Sequence, residues 1–143
     1  MQNHTQLPTG LSFSYETERL ILRLPSTDYL LEIHDFLYRH RSCFEKYEPT
    51  APDNYYTLDI QQTLARCELK LALKLSSVRF YVFLKEDPST IIGTVCLHNI
   101  IKMPYFTSEV GYKFDASYQH HGYAREALSM ALSVGFYGLG LHK

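Results

Sequence analysis

The chain has 143 residues, 45% hydrophobic and 20% charged, the make-up of one globular domain that buries about two-thirds of its unfolded surface. Its 14 Lys and Arg stand against 15 Asp and Glu, a net charge of -1, which excludes an overall basic field for nucleic acid or an anionic membrane. Cys43, Cys67 and Cys96 are odd in number, widely spaced and without a C-x-x-C, which argues against a disulfide framework or a zinc site and suits a reducing cytoplasm.

Met1 to Gln6 carry no basic region followed by an apolar one, and no stretch reaches the ~18 apolar residues of a membrane span, so neither secretion nor membrane insertion is expected. Residues 1–16 read as an N-terminal extension of a single domain over 1–143. Arg19 to Leu24 then predicts a short strand, stopped by Pro25. Ser26 or Thr27 caps a first amphipathic helix, with Leu30, Ile33 and Leu37 at helical spacing and Tyr29 and Phe36 beside them, fading near His40.

Phe44 to Thr57 mixes Pro49, Pro52, Asp53 and Asn54 with Tyr47, Tyr55 and Tyr56, a helix-breaking composition that predicts a loop rich in aromatic surface. Ile60, Leu64, Cys67, Leu71 and Leu75 recur every three or four residues and predict a second helix, with Gln61, Gln62, Arg66, Lys70 and Lys74 on its other faces. Arg79 to Leu84 is nearly continuous in apolar and aromatic residues, as in a strand covered on both faces. Glu86 to Thr90 turns the chain, Ile91 to Ile101 returns as a strand, and Lys102 to Phe106 turns it again into a strand ending at Phe114. These three strands form an antiparallel meander. Gly122 to Tyr137 is a third helix with a face of Ala124, Ala127, Leu128, Ala131, Leu132 and Gly135, ended by Gly138.

Between the last strand and this helix lies Gln119-His120-His121-Gly122-Tyr123-Ala124. The first N–H groups of a helix have no intrahelical partner and carry partial positive charge, so the loop before them suits a phosphate. Gly122 lets the backbone approach a ligand, and Ala124 keeps the helix start flat. Arg125 can pair with a phosphate or remain a solvated first-turn charge.

The pattern Gln119-x-x-Gly122-x-Ala124 after a strand resembles the acetyl-CoA pyrophosphate loop of the GCN5-related N-acetyltransferases (GNAT). Glu109-Val110-Gly111-Tyr112 before it, Gly122 to Leu128 after it and the opening Thr17-Glu18-Arg19-Leu20-Ile21-Leu22-Arg23 resemble the branch that acetylates ribosomal-protein N-termini. The resemblance implies an α+β fold, a mostly antiparallel sheet with helices on both faces, splayed beside its fourth strand to admit pantetheine. It also implies a fifth strand, a fourth helix and closing strands after Lys143, so the chain is expected to be a fragment, a truncated product or a half-domain completed by another chain. An open fourth strand would invite pairing with a second copy or another edge.

The implied activity is acetyl transfer from acetyl-CoA to a primary amine, foremost a protein N-terminal α-amine. The alternatives are a small-molecule amine, such as an antibiotic or polyamine, and a CoA-binding module without catalysis. An α-amine titrates near about 8 and a lysine near about 10.4, so the former needs little help in losing its proton. Cofactor contacts are expected from Val110, Gly111, Tyr112, Gln119, His120, His121, Gly122, Tyr123, Ala124 and Arg125. The backbone N–H groups of Val110 to Tyr112 would polarise the acetyl carbonyl, with Gly111 allowing close approach or a bulge. Glu109 is the candidate base, a carboxylate in an apolar strand, or else a strand-end carboxylate on the solvent face. Glu48, Asp53, Tyr47, Tyr55 and Tyr56 line the acceptor site or merely fill a solvated loop. His34, His40, His98, His120 and His121 show no metal-binding spacing. No residue is assigned as the acid that protonates the leaving thiolate.

Overall fold

Side chains alternate across β3 (Val78–Leu84), and the layers of the protein follow from that alternation. The computed structural model describes residues 11–39, 57–74, 76–101, 107–115, 118 and 121–135. Before β3 come β1 (Ser14–Glu16), β2 (Leu20–Arg23), a 3-10 turn (Thr27–Tyr29), α1 (Leu30–Arg39) and α2 (Leu58–Leu73). After it come β4 (Asp87–Ile101), β5 (Thr107–Phe114) and α3 (Tyr123–Ser133). The strands form one sheet in the order β1-β2-β3-β4-β5, every neighbour antiparallel.

Val78, Phe80, Val82 and Leu84 share one core with Leu20, Leu22, Val95 and Leu97, covered by Ala127, Ala131 and Val134 of the α3 segment. Tyr81 and Phe83 point the other way and pack with Ile91 against Tyr29, Ile33 and Phe36. The sheet therefore carries α1 on one face and α3 on the other, the α+β arrangement expected. Near-complete burial of β3 is what its unbroken apolar run requires. Among the described residues no helix is long and apolar enough to cross a membrane.

Several local expectations are corrected. Within the segment expected as an extension, Ser14–Glu16 pair with Ile21–Arg23 as an edge strand, anchored by the Tyr15 ring, which meets Phe80 edge-on at 5.7 Å. Ser26 caps a 3-10 turn before α1 by accepting from the Asp28 N–H. The buried face of α2 is Gln61, Ala65 and Ala72, while Cys67 and Leu71 are exposed. Small side chains let α2 sit close, and Glu68 on that side bonds the Tyr81 hydroxyl at 2.9 Å and Arg79 at 2.9 Å. The turn after β3 tightens to Lys85–Glu86, so Pro88 lies inside β4 beside a register shift. On α3, Leu132 is exposed and the small residues Ala127 and Ala131 make the contact.

Phe44 to Tyr56, the turn at Lys102 to Phe106 and Gly138 lie outside the described residues.

Candidate functional site

Strand β5 forms the sheet's last edge among the described residues, pairing with β4 through Leu97↔Val110, Cys96↔Gly111 and Val95↔Tyr112. Val110 is 40% and Tyr112 57% exposed, so two large side chains stand in solvent where a strand would ordinarily bury them. Glu109, Gly111 and Lys113 alternate to the other face. Glu109 pairs with His98 and is exposed, so the apolar surroundings argued from the strand's sequence are absent around its carboxylate. Of the two roles expected of Gly111, close approach or a bulge, the bulge is not there: the register shift falls on β4, between His98 and Ile101. Gly111 supplies close approach: a Cβ there would stand 2.8 Å from Nε2 of His98. The same imidazole sets Nδ1 3.4 Å from the Cys96 sulfur, which in turn lies 3.5 Å from the Ser77 hydroxyl. Burial pushes the Cys96 thiol up.

Beyond β5, the Asp115 N–H donates to the Ile92 carbonyl at 2.8 Å, and its buried carboxylate accepts from Arg39 at 3.3 Å, tying the strand's end to α1. Gln119 and His120 lie outside the described residues. Gly122 follows with φ +79°, a left-handed conformation that glycine adopts without penalty. It is the N-cap of α3 and offers no side-chain cap. The Glu126 N–H makes the bond to the Gly122 carbonyl, 3.1 Å, which leaves the N–H groups of Tyr123, Ala124 and Arg125 ahead of it, facing out of the helix start. Of the residues expected to hold a cofactor, His121, Gly122, Tyr123, Ala124 and Arg125 are thus brought together at one helix terminus.

Sequence reasoning missed what fixes this terminus. The Glu126 carboxylate accepts a hydrogen bond from the Thr17 hydroxyl, one from the Arg19 N–H at 2.8 Å and one from the Arg19 guanidinium Nε at 2.7 Å. Nη1 of Arg19 donates onward to the His121 carbonyl at 3.0 Å, and the guanidinium stacks over the Tyr123 ring at 4.5 Å. Burial alone would raise the Glu126 carboxyl, but the bonds from Thr17 and Arg19 outweigh it and hold the group below its ordinary value. The hydrogen bond to Glu126 raises Arg19. Thr17, Arg19, Gly122, Arg125, Glu126 and Ser129 border a cavity of about 540 Å³ against the helix start. Thr17 and Arg19 stand out only as part of the opening strand motif, and nothing local in the sequence connects them to Glu126.

Under α2 a second, smaller cavity of about 100 Å³ is lined by Gln61, Glu68, Arg79, Tyr81, Thr94 and Lys113. Burial, reinforced by Glu68, pushes the Tyr81 phenol well up, so it stays a neutral donor to that carboxylate. The acceptor-loop candidates Glu48, Asp53, Tyr47, Tyr55 and Tyr56 lie outside the described residues.

The acetyltransferase (GNAT) domain family model matches residues 19–143. A probable N-acetyltransferase of Bacillus subtilis, YjcK, is 29% identical over 104 residues, 73% of this chain and 57% of that protein, so the match spans little more than half of the relative's length. Ribosomal-protein-S5-alanine acetyltransferase from Vibrio fischeri superposes with a TM-score of 0.81 at 27% identity, covering 90% of this chain and 70% of that one. Mycobacterium smegmatis RimJ, solved with CoA-disulfide, superposes with a TM-score of 0.75 over 86% of this chain and 59% of that one; at 18% identity this likeness is one of fold.

Proposed function

The chain belongs to the acetyltransferase (GNAT) domain family, and from that premise we propose that it binds acetyl-CoA at the start of α3 and passes the acetyl group to a primary amine. The observation that carries the reading is Gly122, left-handed ahead of three outward N–H groups, where a Cβ would meet the Arg19 Nη2 at 3.4 Å. A diphosphate fits such a terminus because it satisfies N–H groups that the helix leaves unpaired and sits at the positive end of its dipole. Gln119, His120, His121, Gly122, Tyr123, Ala124 and Arg125 hold the phosphates, and Val110, Gly111 and Tyr112 lie along the pantetheine arm.

The preferred acceptor is a protein N-terminal α-amine, the reading supported by the likeness to the Vibrio fischeri ribosomal-protein acetyltransferase. The amine attacks the thioester carbonyl, a C–N bond forms, the tetrahedral oxyanion collapses, and the C–S bond breaks to release CoA thiolate. On β5, the edge strand among the described residues, a backbone N–H between Val110 and Tyr112 stabilises the developing oxyanion without any special side chain. Glu109, the residue before Val110 on the same strand and in contact with solvent, takes the amine's proton directly or through one water.

Calorimetry with acetyl-CoA tests the cofactor site in the full-length protein. Wild type should bind, and Gly122→Val should not; equal affinity in a folded Gly122→Val protein would sink the assignment. Mass spectrometry of products then separates acceptors, using a peptide with a ribosomal-protein N-terminus against a polyamine and an aminoglycoside. Acetylation of the small amines alone would move the acceptor, and binding without transfer to any of them would leave a CoA-binding module.

A further inference from the structure

We infer that the Arg19–Glu126 pair is the positioning device of the phosphate-binding helix start, setting the orientation of the loop carbonyl and amides that a diphosphate must meet. The inference rests on the cofactor site proposed above and adds to it two residues that contact the loop from outside.

Arg19 uses its planar fork in two directions. Its Nε is spent on Glu126, in the first turn of α3, and Nη1 on the His121 carbonyl, the loop residue before Gly122. A guanidinium holds both because its donors lie in one plane at fixed angles, whereas a lysine ammonium is a single point charge. Bonding the His121 carbonyl turns that oxygen to the Arg19 guanidinium, and across the planar trans peptide the Gly122 N–H then points the opposite way. Glu126 is in turn held by three donors from Thr17 and Arg19, so neither partner can rotate freely. Tyr123 closes the arrangement by lying beneath the guanidinium.

Electrostatics explains why the pair is built this way. A carboxylate in the first turn of a helix stabilises the helix by opposing its dipole, but it would also repel a phosphate bound at the same end. Neutralising Glu126 with Arg19 keeps the helix stabilised and removes the repulsion. Nη2, with no hydrogen-bond partner among the described residues, remains beside Gly122 as an unspent donor group of the fork.

The experiment compares wild type with Arg19→Lys, Arg19→Ala and Glu126→Gln in the full-length protein. Amide hydrogen exchange of the ligand-free proteins reads the loop directly, and segment 121–126 should exchange faster in each variant while β3 and β4 stay protected. Donor selectivity is then measured as kcat/KM for acetyl-CoA divided by kcat/KM for S-acetylpantetheine, which carries no diphosphate. Loss of one charge-assisted contact predicts a fall in that ratio of roughly 10- to 100-fold for Arg19→Ala, with Arg19→Lys in between because it keeps the charge and loses the fork. An unchanged ratio, or faster exchange throughout the sheet, would overturn the inference and leave the pair a general stabiliser. Failure of wild type itself to bind CoA by calorimetry would instead overturn the cofactor reading beneath it. Should Arg19→Ala fail to fold, Arg19→Lys and Glu126→Gln carry the same comparison.

Discussion

The imidazole of His98 occupies the space that a side chain at position 111 would need, with Nε2 2.8 Å from where that Cβ would stand. Gly111→Ala should therefore swing the ring aside and break its approach to the Cys96 sulfur. Because the ring is the end of a rotatable side chain, stability should drop by only about 1 kcal/mol, the low end for overpacking. A double-mutant cycle by chemical denaturation checks the geometry: Gly111→Ala in a His98→Ala background should cost clearly less than in wild type. Additive costs would mean that the two residues do not meet.

For the base, the expectation concerns rate rather than binding. Glu109→Gln should lower kcat at neutral pH by ~100-fold, leave acetyl-CoA affinity nearly unchanged, and recover part of the rate at higher pH as the amine loses its proton unaided. Steady-state kinetics across pH decides it, since an unaltered profile would pass the role to water or to another group.

Inside the sheet, Gly93 pairs with Phe114 across β4 and β5, and a Cβ on it would lie 2.5 Å from the phenyl ring. Ring carbons on an ordered strand cannot yield as a side-chain tip can, so Gly93→Ala should destabilise by about 1–3 kcal/mol. Adding Phe114→Leu should recover part of that loss in urea melts.

Acid should reveal the Glu126 contacts. Its folded carboxyl titrates below the ordinary 4.5, so the bonds from Thr17 and Arg19 add stability that is fully present above that value and disappears as pH falls through the lower folded one. The Tm difference between wild type and Glu126→Gln should accordingly hold steady from neutral pH to about pH 5 and shrink toward zero in more acid solution. A difference constant down to pH 3 would show that Glu126 is not held as an anion.

What was legible in the sequence is what depends on local pattern. The unbroken run Arg79 to Leu84 announces a doubly covered strand, and Gly122 before a small-residue helix announces the helix start, because period and turn chemistry act over a few residues. The face of α2 was misplaced because Gln61 and Glu68 look like surface residues until Arg79 and Tyr81 arrive from β3 to satisfy the glutamate. The edge strand Ser14–Glu16 is only three residues long and shows itself chiefly through Phe13 and Tyr15, too short a stretch for alternation to register. Cys96 and His98 could have been paired, since they alternate onto one face, but the glycine that makes room for the ring lies on the neighbouring strand.

Thr17 and Glu126 are 109 positions apart, and the helix terminus they help to fix is complete only when the opening strands and α3 have met. Closing so long a loop adds little entropy beyond closing one half as long, because the cost grows with the logarithm of length. The timing is a different matter: on a ribosome the arginine emerges with the opening strand and waits until the helix carrying its glutamate has been made. A diphosphate would then find its seat only after β3, β4 and β5 have been made, so ligand capture during synthesis would report a sheet already assembled rather than an early intermediate.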